Sequence, residues 1–307
     1  MIQINDVSKS FGRRLAVDHL TLDVPRGVTF GLLGHNGAGK STAIGMMLGQ
    51  VWPSSGNIRI CGQDISHHRD AALSKVGAIF EAPVFYDYLS GRRNLEILAG
   101  YSGETPPVRI QEVAEWVGLS GRVDSKVQTY SHGMRARLAL AQSLLPRPEL
   151  LILDEPTNGL DPEGIHEMRE TIRRLNTDLR LTILLSSHLL SEVEHLCSRI
   201  AVLHQGRKIF DGPLSEARQP QGWVRLVTDD FVTATDWLSS QGLIHSHKEG
   251  AKIALTEGTQ TGTVVKRLVQ AGFTVHEIAH EEQTLEHFYL SLVRANRTPS
   301  SIQESHS

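Results

Sequence analysis

One run of eight residues, Gly34-His35-Asn36-Gly37-Ala38-Gly39-Lys40-Ser41, has the spacing of a glycine, four free positions, a second glycine, a lysine and a serine. It follows an apolar stretch at 28–33 and precedes a segment with helical character at 42–48. A glycine-rich loop between a buried strand and a helix lets backbone N–H groups surround a phosphate. The sequence therefore predicts an α/β fold with a nucleotide-phosphate site at this loop.

The last residues of the loop carry its expected chemistry. Lys40 is expected to reach the β- and γ-phosphates, and the Ser41 hydroxyl to ligate Mg²⁺. Thr42, which comes next, is counted with the loop as a nucleotide contact. The alternative, an accidental glycine-rich turn, fits poorly with the strand and helix on either side.

Length and composition exclude several classes of protein. With 307 residues, of which 40% are hydrophobic and 21% charged, the chain can form one large and one small domain. A net charge of −3 gives no support to a nucleic-acid partner. Cys61 and Cys197 form no zinc or disulfide pattern, which favours a reduced cytosolic protein with small buried thiols.

The sequence contains no apolar stretch near the roughly 20 residues that span a bilayer. Its first residues, Met1-Ile2-Gln3-Ile4-Asn5, are typical of a strand rather than of a signal peptide. We therefore expect a soluble chain. If it works at a membrane, a separate subunit must supply the spans.

Apolar runs alternate with helical patterns along the first two thirds of the chain. Residues 150–153 are continuously apolar, as in a parallel strand buried on both faces, and a second such strand is predicted at 181–185. A helix is predicted between them at 162–175, and the region from about 84 to 146 becomes helical. This order predicts a parallel α/β core with a helical insertion.

A second domain is predicted after a linker at residues 213–222. The pattern over residues 223–295 has the order β-α-β-β-α-β, which is typical of a ferredoxin-like α+β module. Residues 296–307 are polar, and a disordered tail is predicted there.

Three further motifs appear in a fixed order: Tyr130-Ser131-His132-Gly133-Met134, the strand Leu150–Pro156 that ends in Asp154 and Glu155, and Ser186-Ser187-His188. With the phosphate loop they resemble the nucleotide-binding subunits of ABC transporters, over about residues 1–212. The resemblance implies the ABC-type P-loop NTPase core, a mixed sheet with a helical subdomain. It also implies ATP and Mg²⁺ as cofactors and a head-to-tail homodimer with two ATP molecules between the subunits.

The resemblance assigns roles to the carboxylates and to one histidine. Asp154 would hold Mg²⁺, Glu155 would act as the general base on the attacking water, and His188 resembles the family's switch histidine at the γ-phosphate. The alternatives are an exposed acidic pair and a structural histidine. The apolar strand, which delivers the pair toward the phosphate loop, favours the catalytic interpretation.

Other positions match parts of the dimer site. Ser131 and Gly133 would contact the γ-phosphate held by the other subunit. Asp161 belongs to a segment that resembles the loop crossing the dimer interface, and it is also a good helix cap; both interpretations can hold. Phe11 resembles the aromatic residue that stacks on adenine, although such a residue can equally be part of a core.

The sequence departs from the family pattern at two places. His132 and Met134 stand in a signature that usually reads Leu-Ser-Gly-Gly-Gln, which could alter affinity or nucleotide choice. Glu81 stands where the family has a glutamine, and our hypothesis is that it is a working Mg²⁺ and coupling residue. The comparison that tests it is the ATPase rate and Mg²⁺ dependence of Glu81→Gln and Glu81→Ala.

The aromatic segment 81–90 lies where the family's membrane subunit docks, and its Tyr and Phe side chains would anchor that interface unless they form a loop core.

Within the ABC transporter family, the sequence looks most like the exporter ATPases of the bacitracin and lantibiotic self-immunity type. This implies export of a drug, peptide or lipid-like molecule through a separate integral-membrane permease, at the cytoplasmic face of the plasma membrane.

Two other functions remain open from the sequence. One is a soluble ABC ATPase acting on ribosomes or DNA, which usually has paired ATPase domains or a long coiled coil. The other is a slow-turnover ATP-binding subunit, which Glu81 and the altered signature suggest.

The C-terminal module contains five histidines that lack firm metal-ligand spacing, at positions 245, 247, 276, 280 and 287. Dimer contact or regulation is the better interpretation of this module. The sequence does not identify the substrate or the permease.

Overall fold

The computed structural model describes residues 1–80, 84–101, 106–217, 223–248, 250–280 and 284–296. Its strands, in chain order, are β1 (Ile2–Phe11), β2 (Arg14–Val24), β3 (Thr29–Leu33), β4 (Ser55–Ile60), β5 (Gln63–Asp64), β6 (Val76–Ile79), β7 (Leu150–Asp154), β8 (Thr182–Ser187), β9 (Arg199–His204), β10 (Arg207–Pro213), β11 (Trp223–Thr228), β12 (Ile244–Lys248), β13 (Lys252–Leu255) and β14 (Val275–His280).

The helices are α1 (Lys40–Met47), α2 (Arg69–Leu73), α3 (Gly91–Tyr101), α4 (Pro107–Trp116), α5 (His132–Leu144), α6 (Pro162–Leu179), α7 (Leu190–Leu196), α8 (Leu214–Ala217), α9 (Phe231–Ser240), α10 (Thr261–Gln270) and α11 (Leu285–Ala295). Within the described ranges, none of them is both long and apolar enough to cross a membrane.

The first sheet is antiparallel, in the order β2-β1-β4-β5. Residues of β1 alternate between the two faces, so that Ile2 and Ile4 are buried opposite Ile60 and Ile58 of β4. The β1–β2 hairpin turns at Gly12, whose φ of 59° suits glycine. This hairpin brings the residues on either side of its turn beside the phosphate loop.

The second sheet has six strands in the order β10-β9-β3-β8-β7-β6, and only β10 runs antiparallel. Strands β3 and β8 are buried along their whole length, as is β7 up to Leu153. The predicted buried parallel strands are therefore confirmed. Because β3, β7 and β8 are neighbours, the segments that follow them meet at one edge of the sheet.

The structure corrects the predicted linker at 213–222. Pro213 ends the edge strand β10, and residues 214–217 form helix α8, in which Ala217 is fully buried. The sequence did not indicate β10, because an edge strand that is only partly buried carries no continuous apolar run. Residues 218–222 lie outside the described residues.

The helical insertion contains α3, α4 and α5, as predicted for about 84–146. Leu95, Val113 and Leu138 are fully buried. The guanidinium of Arg109 is almost fully buried and donates to the backbone oxygens of Leu144 and Leu145 at the end of α5. These carbonyls have no partner within the helix, so Arg109 fixes the end of the helix that carries the signature motif.

The described chain divides into two compact units. One runs from Met1 to Leu214 and resumes at Tyr289, and the other covers Ser215–Phe288. The second unit has an antiparallel sheet in the order β12-β13-β11-β14, and its core includes Val224 of β11 and Leu238 of α9. The predicted β-α-β-β-α-β order is confirmed. Of the predicted tail, only Asn296 is described; its backbone N–H donates to the Leu292 carbonyl.

Both cysteines are free, Cys197 buried and Cys61 half-buried. Burial raises the pKa of each thiol. A raised pKa disfavours the reactive thiolate. The prediction of a buried thiol is confirmed for Cys197, whereas Cys61 is only half-buried.

Candidate active site

The phosphate loop wraps around its own lysine. Lys40 begins α1, is 5% exposed, and donates from Nζ to the carbonyl oxygens of Gly34 at 2.8 Å and His35 at 3.4 Å. Gly39, at the cap of the helix, has a φ of 105°, and a Cβ atom there would lie 2.7 Å from the Ala16 carbonyl oxygen. No residue other than glycine fits that position.

A cavity of about 310 Å³ lies over this loop and the start of α1. Predicted loop residues on its lining are Asn36, Gly37, Gly39, Lys40, Ser41 and Thr42. Ala38 is instead buried in the core, and Gly34 and His35 line a neighbouring cavity of about 270 Å³ together with Asn36, Ser187 and His188. The loop thus separates two spaces, one beside the β1–β2 hairpin and one beside His188.

Phe11 and Ala16 line the first cavity from the hairpin side. Phe11 is 51% exposed, and its ring lies under Lys9 Nζ at 4.9 Å. The alternative that Phe11 is a core residue is therefore wrong. Its stacking on adenine stays a prediction, for which this open aromatic face is suited.

The motifs in the sequence do not indicate Arg14, which the structure places on the lining of the first cavity. This exposed arginine lines the cavity with Phe11, and a Cβ atom built on Gly37 would lie 3.8 Å from its Nη2. We expect Arg14→Ala to weaken ATP binding about 10-fold, because one charge-assisted contact to a phosphate or ribose oxygen is lost. Titration of a fluorescent ATP analogue would measure the change.

Arg13 provides the matched control for this prediction, because it is the adjacent exposed arginine and is not among the residues that line the cavity. Arg13→Ala should leave the dissociation constant within about twofold of wild type, since distant exposed charges are screened. Equal losses in the two variants would contradict a specific contact and indicate a general effect of positive charge. The feature of the sequence that could have indicated a phosphate or ribose contact is the pair of adjacent arginines at the hairpin turn.

A single serine binds the Asp154 side chain and the Glu155 backbone at the end of β7. Ser186 is fully buried; its hydroxyl donates to the Asp154 carboxylate and accepts from the Glu155 backbone N–H at 3.1 Å. Glu155 has a φ of 47°, a left-handed conformation that costs free energy in a residue with a side chain. Ser186 therefore stabilises a strained backbone that orients the Glu155 side chain.

The structure brings Lys40, Glu155 and His188 together, as the resemblance implied. Glu155 Oε1 lies 3.7 Å from Lys40 Nζ, and Glu155 Oε2 lies 3.0 Å from His188 Nδ1. The carboxylate is 23% exposed and the histidine 38%, so the group is open to a ligand and to water. A carboxylate between a cation and an imidazole, beside a phosphate loop, can take a proton from water.

A third cavity, of about 460 Å³, connects these carboxylates with the helical insertion. Ser41, Asp154 and Glu155 line it on one side, and His132 and Arg135 of α5 on the other. The hydroxyl and the carboxylate predicted to ligate Mg²⁺ therefore face the same space. Glu81, the third predicted ligand, lies outside the described residues.

Ser131 and Asp161 both cap helices. Ser131 Oγ accepts from the Met134 N–H at 3.2 Å at the start of α5, and Asp161 Oδ1 accepts from the Gly164 N–H at 3.1 Å at the start of α6. The capping role of Asp161 is confirmed. Both residues are exposed, and neither they nor Gly133 are among the described residues that line the first cavity.

The described part of the aromatic segment, residues 84–90, is only partly exposed. Tyr86 and Tyr88 are 47% and 66% exposed, and their rings form an edge-to-face pair with centroids 6.0 Å apart. Phe85, in contrast, is buried, so for this residue the alternative of a loop core is confirmed and the exposed anchor is wrong. Because the segment is irregular, no periodic pattern in the sequence separated its inward and outward side chains.

The sheet order, the phosphate loop and the carboxylates at the strand ends define a P-loop nucleotide-binding protein with a hydrolytic site. A sequence profile of the ABC transporter family matches residues 17–158. The chain is 37% identical to the bacitracin transport ATP-binding protein BcrA of Bacillus licheniformis, over 95% of this chain and 97% of that protein. It is 33% identical to the linearmycin resistance ATP-binding protein LnrL of Bacillus subtilis (strain 168), over 95% and 98% of the two chains.

A solved structure of an ATP-binding subunit of an ABC transporter matches with a TM-score of 0.63 and 30% identity, over 71% of this chain and 91% of that one. The chain belongs to the ATP-binding proteins of ABC transporters. It is an ATPase that hydrolyses ATP to drive transport.

Proposed function

We propose that this ATPase energises export of an antibiotic, a peptide or a lipid-like molecule through a separate membrane permease, at the cytoplasmic face of the plasma membrane. The observation that carries the proposal is the extent of the likeness. Relatives named for bacitracin transport and linearmycin resistance match at least 95% of each chain, including the C-terminal unit. The solved cassette covers 71% of this chain. The match therefore extends beyond the part that binds ATP.

For hydrolysis, we assign the general base to Glu155. His188, 3.0 Å from one carboxylate oxygen, would orient the attacking water and contact the γ-phosphate, and Lys40 with the loop N–H groups would hold the phosphates. Proton abstraction by Glu155 produces the hydroxide-like nucleophile as the bond to the γ-phosphorus forms. The strained backbone at Glu155 supports this assignment, because such strain is concentrated at functional sites.

The donor set supports a Mg²⁺ site with Ser41 and Asp154 as ligands. Both line one cavity, and a hydroxyl and a carboxylate are oxygen donors that this hard cation prefers, with phosphate oxygens and water completing its shell. When bound, Mg²⁺ would neutralise charge on the phosphates. We keep Glu81 as a hypothetical third ligand.

For the dimer, we assign Ser131, Gly133 and Asp161 to the partner-facing surface. Ser131 and Asp161 are exposed, and the N–H groups at the start of α5 can bind a γ-phosphate presented by a second subunit. For the permease interface, we assign Tyr86 and Tyr88, since exposed tyrosines make strong anchors in interfaces.

We assign the C-terminal unit to the ferredoxin-like class, with a role in dimer contact or regulation. Its β-α-β-β-α-β order and its sheet order β12-β13-β11-β14 support the class. Across the described residues, no group of three or more His, Cys, Asp or Glu side chains is arranged to hold a metal ion. His276 is paired with Asp229 at 2.5 Å, a surface contact.

We expect the tagged chain, purified in mild detergent from native membranes, to carry a stoichiometric multi-pass protein that mass spectrometry can identify. Replacing both Tyr86 and Tyr88 by serine should remove most of that partner, because their exposed rings are the proposed anchors. ATP binding should not change, because neither tyrosine lines the nucleotide cavity. Leu179→Ser, at another exposed apolar side chain, is the control. Recovery with ribosomes or DNA instead would contradict export and favour the soluble ATPase class.

A further inference from the structure

One buried carboxylate lies next to the catalytic group without belonging to it. Glu192, in the first turn of α7, is 1% exposed. The Thr157 hydroxyl donates to its Oε1, and the Ser187 hydroxyl donates to its Oε2 at 2.9 Å. Both hydroxyl-bearing residues are themselves buried. The three side chains form a buried hydrogen-bond network that joins positions 35 residues apart in the chain.

The Thr157 and Ser187 hydroxyls belong to two segments for which different roles are predicted. Thr157 begins residues 157–161, here called the crossing segment, which ends at Asp161. Ser187 directly precedes His188, and its oxygen also accepts from the Leu189 N–H at 2.9 Å, which fixes the turn after β8. Glu192 is therefore the side chain through which the crossing segment and the His188 turn are joined.

The two adjacent serines at the end of β8 form hydrogen bonds with different partners. Ser186 holds the Asp154 carboxylate and the Glu155 backbone, whereas Ser187 points the other way, to Glu192. This is the alternation expected of successive strand residues. The catalytic carboxylates and the crossing segment are thus fastened to the same strand end by two separate sets of hydrogen bonds.

The choice of a carboxylate is chemically specific. Burying one is costly unless its oxygens are hydrogen-bonded, and each carboxylate oxygen of Glu192 accepts from a buried hydroxyl. An ionised carboxylate has two acceptor oxygens and no donor, so it can hold two hydroxyl donors at once. A glutamine of the same shape has only one acceptor oxygen, so it would keep both links only if one hydroxyl turned to accept from its NH₂ group, and neither hydrogen bond would then involve a charged group.

We propose that Glu192 is a positioning residue that couples the crossing segment to His188. When a second subunit displaces residues 157–161, Thr157 moves the Glu192 carboxylate, and Ser187 passes that movement to the turn that carries His188. This inference rests on the proposed roles of Asp161 in the dimer and of His188 at the γ-phosphate. It makes the orientation of the histidine depend on dimer closure.

The test is the steady-state ATPase of Glu192→Gln, Thr157→Val and the double variant, with ATP affinity and the thermal midpoint measured alongside. We expect kcat to fall about 10-fold in each single variant, as one hydrogen bond to a charged group is lost. ATP affinity should stay within twofold, because no nucleotide contact changes. The double variant should lose little more than Thr157→Val alone, since both changes weaken the connection between Thr157 and Ser187 through residue 192.

Thr157→Ser is the conservative rescue, because it keeps the hydroxyl that Thr157→Val removes while both leave a side chain of similar size. Glu194→Gln is the matched control on the opposite face of α7, and it should keep wild-type turnover. Equal kcat in Thr157→Ser and Thr157→Val would overturn the coupling, even if Glu192→Gln did not fold. So would parallel losses of kcat, ATP affinity and thermal midpoint in Glu192→Gln, which indicate a purely structural carboxylate.

The ATPase rate of the wild-type chain, compared with that of Glu155→Gln, distinguishes failure of this inference from failure of the proposed function. Wild-type turnover that Glu155→Gln abolishes supports the proposed site, whatever the Glu192 variants do. A wild-type chain without turnover would overturn the proposed site and the coupling together.

Discussion

Glu155→Gln is expected to lower the ATPase kcat by at least about 100-fold while ATP still binds. The amide keeps an acceptor oxygen toward His188 but cannot take a proton from water, and loss of a positioned general base typically costs 10²–10⁴-fold. The phosphate contacts of Lys40 and the loop are unchanged. ATP affinity should even rise, because a negative charge 3.7 Å from Lys40 Nζ no longer competes with the phosphates.

Phosphate release under saturating ATP measures the turnover, and titration of a fluorescent ATP analogue measures binding. With hydrolysis blocked, the variant should also accumulate as an ATP-bound dimer in gel filtration. The matched control is Glu149→Gln, just before the other end of β7, where the side chain pairs with Lys75 and Arg26 far from the phosphate loop. That control should turn over at the wild-type rate.

The outcome also decides between two functions. A wild-type rate no higher than that of Glu155→Gln would contradict catalysis by Glu155 and favour the slow-turnover ATP-binding subunit. A clear wild-type rate, lost only in Glu155→Gln, excludes that alternative. The altered signature at His132 and Met134 would then affect affinity or nucleotide choice rather than the chemistry.

Much of this site could be predicted because its residues occur in local motifs at the ends of apolar strands. The runs before Gly34, at 150–153 and at 181–185 are buried on both faces of a parallel sheet, and such strands deliver their carboxyl ends to one edge. Once β3, β7 and β8 are placed side by side, Lys40, Glu155 and His188 must come close together.

What could not be predicted depends on contacts between residues distant in sequence. Glu192 and Thr157 carry no local signal, because a glutamate in a short helix and a threonine in a loop are usually solvated. The left-handed backbone of Glu155 depends on Ser186, 31 residues further on. Phe85 and Tyr86 are neighbours with opposite burial, and in an irregular segment only packing decides which one turns inward.

Replacing Lys40 by glutamine is expected to raise the dissociation constant for ATP at least about 30-fold and to bring turnover below detection. Two effects act together. The charge-assisted contact with the β- and γ-phosphates is lost, which is worth about 1.5–3 kcal/mol. The carbonyl oxygens of Gly34 and His35 also lose the ammonium that now braces the loop. Lys75→Gln, which removes an exposed lysine paired with Glu149, is the control and should bind ATP normally.

Comparing ATP with ADP separates the two effects. If Lys40 acts mainly on the phosphates, Lys40→Gln should weaken ATP more than ADP, because ADP lacks the γ-phosphate that the ammonium would reach. If the loop simply loses its shape, both nucleotides should weaken by the same factor. Unchanged ATP affinity in Lys40→Gln would contradict the phosphate role altogether. The burial of Lys40 at 5% exposure beside two carbonyls and the Glu155 carboxylate makes the unequal loss the expected result, since the ammonium is held in place and ready to exchange these partners for phosphate oxygens.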